Sequence, residues 1–222
     1  MTRRKSGISI PSWFWQDYFK DTIGDSPEAK RFQKMADKAR NHLERTNERI
    51  RDIRRNPEAT DAARSVQVER VARSAKQEFE SMINGFSLEI AEEIGEISGE
   101  IKKSITSADK ISAVETRQRL AGMKPGERAS FIRRLQEAGD LESLAHVLGR
   151  SSAYLGIDSE DYELAKQAYI NGKFPEKSKR LKMLKKANSH LKLGLMAAIP
   201  DFDEFKSGAT KRAERAKKAL QE

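Results

Sequence analysis

The side chains that could do acid–base or metal chemistry are poorly placed for it in this sequence. The three histidines, His42, His146 and His190, lie in three different stretches of the chain, whereas a zinc site needs several ligands brought together. Glu92 and Glu96 are four residues apart, which places both carboxylates on one face of a helix. Such a pair could hold a divalent cation, but two carboxylates alone make a weak site.

An acidic cluster, Asp158, Glu160 and Asp161, lacks the spacing of a calcium-binding loop and is typical of the first turn of a helix. The sequence shows no glycine-rich phosphate loop, no paired-histidine zinc motif and no nucleophile elbow. We therefore predict a protein that is not an enzyme, with no catalytic residue, no metal site and no cofactor.

The composition favours long two-faced helices and a polyanionic partner. Charged residues make up 35% of the 222 residues, against about 25% in an ordinary globular domain. The absence of cysteine excludes a disulfide framework and any thiolate metal site. The formal charge of +9 favours association with nucleic acid, anionic lipid or an acidic protein surface.

The start of the chain resembles no signal peptide, because residues 1–7 lead into no apolar core. The sequence also lacks an apolar run of the roughly 18 residues that a membrane span needs. We predict no secretion and no membrane partner, with the cytoplasm as the default location, although a protein packaged into a larger particle would have the same features.

The first 25 residues form a basic and aromatic leader. Arg3, Arg4 and Lys5 precede a cluster of large aromatic side chains, and four of these are candidate anchors for docking into a partner: Trp13, Phe14, Trp15 and Phe19. The alternative is that the leader folds back and covers the open end of the helices that follow it.

Residues 26–122 are predicted to form an elongated helical hairpin or coiled-coil arm. Ser26 and Pro27 start a helix that runs to about Arg55, and Asn56-Pro57 separates it from a second one. Apolar residues repeat in steps of four and three along both helices, as in the seam of a coiled coil. The candidate residues of this self-association seam are Phe32, Leu43, Ile50, Ile53, Phe79, Phe86, Ile94, Ile97 and Ile101.

The second seam contains two irregularities. An extra four-residue step near Asn84-Gly85 indicates either a stutter in one helix or the end of that helix. Gly95 and Gly99 each lower helix propensity by roughly 1 kcal/mol relative to alanine. The sequence therefore predicts another helix in close approach to these two glycines.

Residues 123–200 are predicted to form a compact domain of short helices. One helix begins at Pro125 and ends at Gly139, a second begins after Asp140 and ends at Gly149, and a third begins near Asp158 or Ser159. A longer helix begins at Pro175 and runs to about Ile199, and residues 201–222 form a basic helical tail. The apolar residues expected to fill this core are Phe131, Ile132, Leu135, Leu141, Leu144, Val147, Leu148, Tyr154, Leu155, Leu164, Tyr169, Leu181, Leu184, Leu191 and Leu195.

Charge is unevenly distributed along the predicted helices. Five glutamates and no base lie between Ser87 and Glu100, and we interpret them as a solvated helix face. Neutralising a dense run of bases releases counterions from a polyanion, so the basic run beginning at Lys173 is a candidate contact for a polyanion or an acidic partner, which includes the glutamates of a neighbouring copy. Its residues are Lys173, Lys177, Lys179, Arg180, Lys182, Lys185 and Lys186.

One stretch carries a family resemblance. Within residues 123–156 the segments Pro125-Gly-Glu-Arg128, Phe131-Ile132, Ala138-Gly-Asp140, Leu144-Ala145 and Val147-Leu-Gly149 precede the lysine-rich helix. The stretch resembles a pattern in uncharacterised helical proteins encoded among the head genes of tailed bacteriophages and prophages. The resemblance implies a scaffold-like, internal or minor protein of the virion, with coat or portal protein as its partner. It also implies a location in the host cytoplasm during assembly and then within the virion.

We predict an all-α protein: a helical hairpin or coiled-coil arm, a small compact helical domain and a basic helical tail. Its expected function is structural, in the virion or in head morphogenesis of a tailed phage, acting as a homo-oligomer through its seams and its basic helix. The alternative is a non-specific nucleic-acid-binding protein that is packaged with a genome or acts on one.

Overall fold

The computed structural model describes residues 7–9, 27–107 and 110–206. These residues form eight α-helices and no strand, which confirms the all-α prediction for this part of the chain. In chain order the helices are α1 (Pro27–Arg55), α2 (Asp61–Thr106), α3 (Lys110–Ala121), α4 (Pro125–Ala138), α5 (Leu141–Leu148), α6 (Ser152–Leu155), α7 (Ser159–Lys173) and α8 (Pro175–Glu204).

The chain divides into two compact units. Unit 1 contains the residues up to Ala91 and those from Lys186 onward, and unit 2 contains Glu92–Lys185. The predicted boundary, at residue 122, lies elsewhere along the chain. The difference arises because α2 and α8 each contribute residues to both units, whereas the sequence analysis assigned each helix whole to one domain.

In unit 1, α1 runs antiparallel to α2. The imidazole Nε2 of His42 lies 2.9 Å from the carbonyl oxygen of Ala75, and since a carbonyl can only accept, Nε2 carries the donated proton. Nearer the start of α1, Arg31 pairs with Glu89 at 3.4 Å. The coiled-coil geometry predicted for the arm stays a prediction.

The end of α8 completes the core of unit 1. The ring of Phe202 lies 6.0 Å from that of Phe79, and Lys76 pairs with Asp203 at 2.8 Å. Burial alone would raise the pKa of Asp203. The hydrogen bonds and charges of Lys76 and then Lys206 outweigh burial, so this pKa lies below its usual range. These contacts carry α8 through Pro200, where the sequence predicted it to end.

The second helix is continuous through Asn84-Gly85, so the alternative of a helix end at this site is wrong. The coiled-coil stutter stays a prediction. The prediction for Gly95 and Gly99 is wrong, because a Cβ added at either would meet no atom of the described residues within 4 Å. Within the described part of the chain, these glycines therefore lower helix propensity with no close packing to offset the loss.

We expect Gly95→Ala and Gly99→Ala each to raise the free energy of unfolding by about 0.5–1 kcal/mol, since the backbone is already helical and the new methyl group has room. Urea denaturation followed by circular dichroism measures the change. The control is Gly156→Ala, which should destabilise because Gly156 has a φ of +59° and its missing Cβ faces Arg128. Destabilisation by both alanines in α2 would restore the close-approach interpretation.

Unit 2 is organised around α5, which contacts α3, α4 and α7. Its core contains Phe131, Ile132, Leu144, Val147, Tyr169 and Leu184. The Tyr169 hydroxyl reaches Ser104 of α2 at 3.0 Å. Two predicted core residues, Tyr154 and Leu164, are instead exposed, at 71% and 55%.

In unit 2, α4 and α5 begin and end at the predicted residues, and α7 begins at the predicted one. Gly139 adopts a left-handed conformation with φ 66° and ends α4, while Asp140 accepts a bond of 3.0 Å from the backbone N–H of Ser143 and starts α5. Asp158 caps α7 in the same way through Glu160. Hence one glycine and one acid form the whole connection between α4 and α5.

Arg128 joins the ends of two other helices in unit 2. Its guanidinium donates to the carbonyls of Leu120 at 2.9 Å and Ala121 at 3.3 Å, which end α3. It also donates to the carbonyls of Leu155, the last residue of α6, at 3.0 Å and of Gly156, the residue that caps it, at 3.2 Å. A cation here satisfies carbonyls that lack partners within their helices and opposes the negative ends of two helix dipoles.

The capping carboxylate of Asp140 makes the stability of unit 2 depend on pH. Its bonds to Ser143, through the side chain first and the backbone second, hold the pKa of Asp140 below its usual range. A carboxyl with a depressed folded pKa adds stability above its unfolded pKa, and this stability is lost as pH falls through the folded value.

We expect Asp140→Asn to keep the cap, because asparagine also accepts from the backbone, and to flatten the fall in unfolding free energy below about pH 4. Asp140→Ala should lose about 1 kcal/mol at neutral pH. Urea denaturation at a series of pH values checks both variants. Equal acid dependence in the wild type and the asparagine variant would mean that Asp140 does not cause the loss of stability at low pH.

Candidate functional site

The basic run, which begins with Lys173 at the end of α7 and continues along α8, is the candidate contact surface, and the structure places its residues in three different surroundings. Lys177 and Arg180 point toward α2, Lys179 and Lys182 are exposed, and Lys173 lies with its ammonium 5.9 Å from the ring centre of Tyr169. Each surrounding implies a different role for the charge.

Two of the bases are held by glutamates of the same chain. Arg180 pairs with Glu93 at 3.0 Å, and Lys177 pairs with Glu100 while its ammonium also lies 5.2 Å from the ring centre of Phe174. The hydrogen bond and then the charge of Lys177 hold the pKa of Glu100 below its usual range. Part of the predicted glutamate face therefore serves within unit 2 as the acidic partner of the basic helix.

Lys179 and Lys182 lie on the opposite side of α8 from the buried Leu184. Lys179 pairs with Glu176, three residues away on the same helix, at 3.0 Å. Both side chains are exposed, and exposed pairs of this kind stabilise little. Both ammonium groups are thus presented to solvent, where an acidic partner can reach them. Lys185 is likewise exposed.

Lys186 begins the part of α8 that belongs to unit 1, and it is exposed. His190, one turn further on, is half-buried, and burial followed by the charge of Lys186 lowers its pKa. A positively charged imidazole is therefore disfavoured beside Lys186. Positive charge on this part of the helix comes from lysine and not from histidine.

Comparisons with protein-family models, with curated proteins and with solved structures return no match. The family resemblance rests on the residues of the 123–156 stretch alone. The structure assigns those residues to caps, to the core and to the Arg128 contact, all of which are roles in folding.

The predicted self-association seam lies largely inside the chain. Six of its nine residues are buried, and they are Phe32, Leu43, Ile50, Phe79, Ile97 and Ile101. The other three, Ile53, Phe86 and Ile94, are half-buried. A second copy has no open seam to bind in the described residues, so contact between copies, which stays a prediction, needs another surface.

The aromatic docking leader, Trp13, Phe14, Trp15 and Phe19, lies outside the described residues. Most of the predicted tail, from residue 207 onward, does so as well. Residues 7–9 of the leader region are described, and they pack on unit 1.

The groups considered first for chemistry are dispersed. Glu92 and Glu96 are both exposed on α2, and the described residues hold no cluster of three or more His, Cys, Asp or Glu side chains that could bind a metal ion. His146 is buried with 3% exposure. Its Nδ1 lies 3.4 Å from the Thr116 hydroxyl, and its Nε2 has no hydrogen-bond partner among the described residues.

None of the helices in the described part of the chain combines the length and apolarity needed to cross a membrane.

Sequence reasoning missed two side chains that hold residues 7–9. They are Asn47 on α1 and Asp201 near the end of α8. No spacing rule connects positions so far apart in a chain, so no signal in the sequence pointed to them. Asn47 is one polar residue on an already polar helix.

Proposed function

We propose that this chain is a non-enzymatic structural or assembly protein, belonging to the virion or to head morphogenesis of a tailed phage. Its working contact is the exposed basic side of α8, which binds an acidic surface on coat or portal protein. The single observation that carries the proposal is the exposure of Lys179 and Lys182 beside bases already paired with glutamates. The resemblance of residues 123–156 supplies the phage setting.

The paired bases support an acidic protein as the partner. Glu93 and Glu100 approach Arg180 and Lys177 from a neighbouring helix, so the basic helix already accepts carboxylates carried on a helical surface. A partner that presents carboxylates with similar spacing can contact the exposed side of α8 without displacing these pairs. Complementary charges of this kind speed association and fix orientation more than they add affinity.

The proposal is tested by expressing the chain together with the head genes that accompany it. Wild-type chain should purify with particles that contain coat or portal protein. The double variant Lys179→Glu/Lys182→Glu should purify with them at least about tenfold less, because like charges across an interface repel. Its melting temperature should stay close to that of the wild type, since both side chains are exposed.

A matched control changes the net charge equally at another place. Lys34 and Lys38 are exposed on α1, and Lys34→Glu/Lys38→Glu should leave co-purification near the wild-type level. Equal loss in both double variants would mean that net charge alone acts. Absence of the wild-type chain from every particle fraction would overturn the proposal.

The alternative, non-specific nucleic-acid binding, is favoured by the formal charge of +9. A gel shift with duplex DNA at about 50 and 200 mM salt distinguishes the two functions, because contacts with phosphates lose affinity steeply over that range. Suppose that binding is strong at low salt, weak at high salt and absent in the Lys179→Glu/Lys182→Glu variant. The partner of the basic side of α8 would then be nucleic acid and not a protein.

A further inference from the structure

Residues 7–9 contact α1 and α8 of unit 1 in the way that a bound peptide contacts its receptor. The side-chain amide of Asn47 hydrogen-bonds to both main-chain groups of Ile8. Its Oδ1 accepts from the Ile8 N–H at 2.7 Å, and its Nδ2 donates to the Ile8 carbonyl at 2.9 Å. The next N–H, that of Ser9, donates to Asp201 Oδ2 at 2.7 Å. Three consecutive main-chain groups thus have partners on α1 and α8.

The site also takes one apolar side chain. Ile8 is only 3% exposed, and Asp201 is 4% exposed. A carboxylate buried this deeply must be hydrogen-bonded, and the Ser9 N–H supplies one of its bonds. Main-chain bonds that give affinity, together with a side-chain pocket that gives selectivity, are the means by which proteins recognise extended peptides.

Any side chain at position 7 would have to displace the same amide. A Cβ added to Gly7 would lie 2.7 Å from Asn47 Oδ1 and 3.1 Å from Asn47 Cγ. The site therefore selects glycine followed by a buried apolar residue, and Gly7-Ile8-Ser9 is the only Gly-Ile-Ser in the sequence. The chain itself carries the peptide that fits.

We infer that this site, formed by Asn47, Asp201 and the Ile8 pocket, is a peptide-binding groove that accepts Gly7–Ser9 from a second copy of the chain. Every contact in the groove is the same whichever copy supplies the segment, so the exchange loses none of them. The 17 residues between Ser9 and Pro27 can span up to about 55–60 Å when extended. That length is sufficient to connect neighbouring copies.

Concentration decides which copy fills the groove. A short linker presents its own segment at an effective concentration in the millimolar range, so dilute chains bind their own segment and crowded chains exchange it. Exchange of the segment would link copies of the chain in the assembly role proposed above. Only the biological purpose of the exchange rests on that proposed function. It also provides a contact between copies that the buried seam residues do not.

Binding in trans is tested with the full-length variant Ile8→Asp, whose own segment cannot bury a carboxylate in the pocket. A fluorescent peptide of residues 1–12 should bind this variant at least about tenfold more tightly than it binds the wild type, where the resident segment competes. The same peptide with Gly7→Val should not bind. Adding Asn47→Ala to the variant should abolish binding of the normal peptide.

Circular dichroism checks that Ile8→Asp remains helical, and Ile8→Ala replaces it if it does not. A peptide that fails to bind either variant overturns the inference. This measurement uses neither coat nor portal protein, so its failure is distinct from failure of the proposed function.

Exchange between whole chains is tested by mixing two complementary variants. Ile8→Asp keeps the groove and lacks the segment, whereas Asn47→Ala keeps the segment and lacks the groove. At about 1 mM, the effective concentration set by the linker, native mass spectrometry should show a heterodimer in the mixture and monomers in each separate sample. Monomers alone in the mixture would overturn exchange.

Discussion

Replacement of Phe79 by alanine is expected to lower the free energy of unfolding of unit 1 by about 3–5 kcal/mol, the usual cost of removing a buried aromatic ring. The side chain is fully buried. Its ring stacks on His42 at 6.1 Å with an angle of 15° and lies 6.0 Å from Phe202. One substitution therefore removes contacts that α2 makes with both α1 and α8.

Urea denaturation followed by circular dichroism measures this loss. The matched control is Leu88→Ala, which lies on the same helix with 61% exposure and should change stability by less than about 0.5 kcal/mol. Similar small effects for both substitutions would mean that Phe79 is not packed between three helices.

Replacement of Arg128 by alanine is expected to lower the free energy of unfolding of unit 2 by about 2–4 kcal/mol, because hydrogen bonds to a charged group contribute more than neutral ones. The four carbonyls that it contacts lie at the ends of α3 and α6. Lysine carries the same charge but lacks the planar guanidinium with its several N–H donors, so Arg128→Lys should recover less than half of the loss.

Arg134 provides the control for Arg128, because it lies on the same helix and is exposed. Arg134→Ala removes one positive charge and should leave the urea midpoint almost unchanged. If Arg128→Lys is as stable as the wild type, charge near the helix ends is sufficient and the planar guanidinium is not needed.

Local signals were sufficient to predict both ends of α4 and α5 and the starts of α7 and α8. Pro125, Gly139, Asp140 and Asp158 act within one helical turn, through a fixed φ, a left-handed conformation or a capping oxygen. Such effects depend on neighbours in sequence. They can therefore be predicted from the sequence alone.

Features that depend on distant residues were not predictable. Pro200 was expected to end α8, but burial of Asp201 and Phe202 in unit 1 carries the helix past it. The division of α2 between two units depends on bonds such as that from Ser104 to Tyr169, 65 residues away. The hold of Asn47 on Ile8 spans 39 residues and follows no periodic pattern.

The candidate site was predictable in sequence but not in arrangement. The density of bases from Lys173 onward indicated the candidate contact helix, whereas the glutamates up to Glu100 were interpreted as a solvated face or as a partner in a neighbouring copy. Only the structure shows that Lys177 and Arg180 are paired within the chain. The exposed residues Lys179 and Lys182 are therefore the ones to change.

The tight connection between α4 and α5 constrains how this chain can change length over evolution. Gly139 ends one helix and Asp140 starts the next, so an inserted or deleted residue would remove a cap and turn α5 by about 100° relative to the core. The connection between α1 and α2, residues 56–60, is exposed apart from the half-buried Ala59. Relatives should therefore vary in length at residues 56–60 and keep one length at residues 139–140.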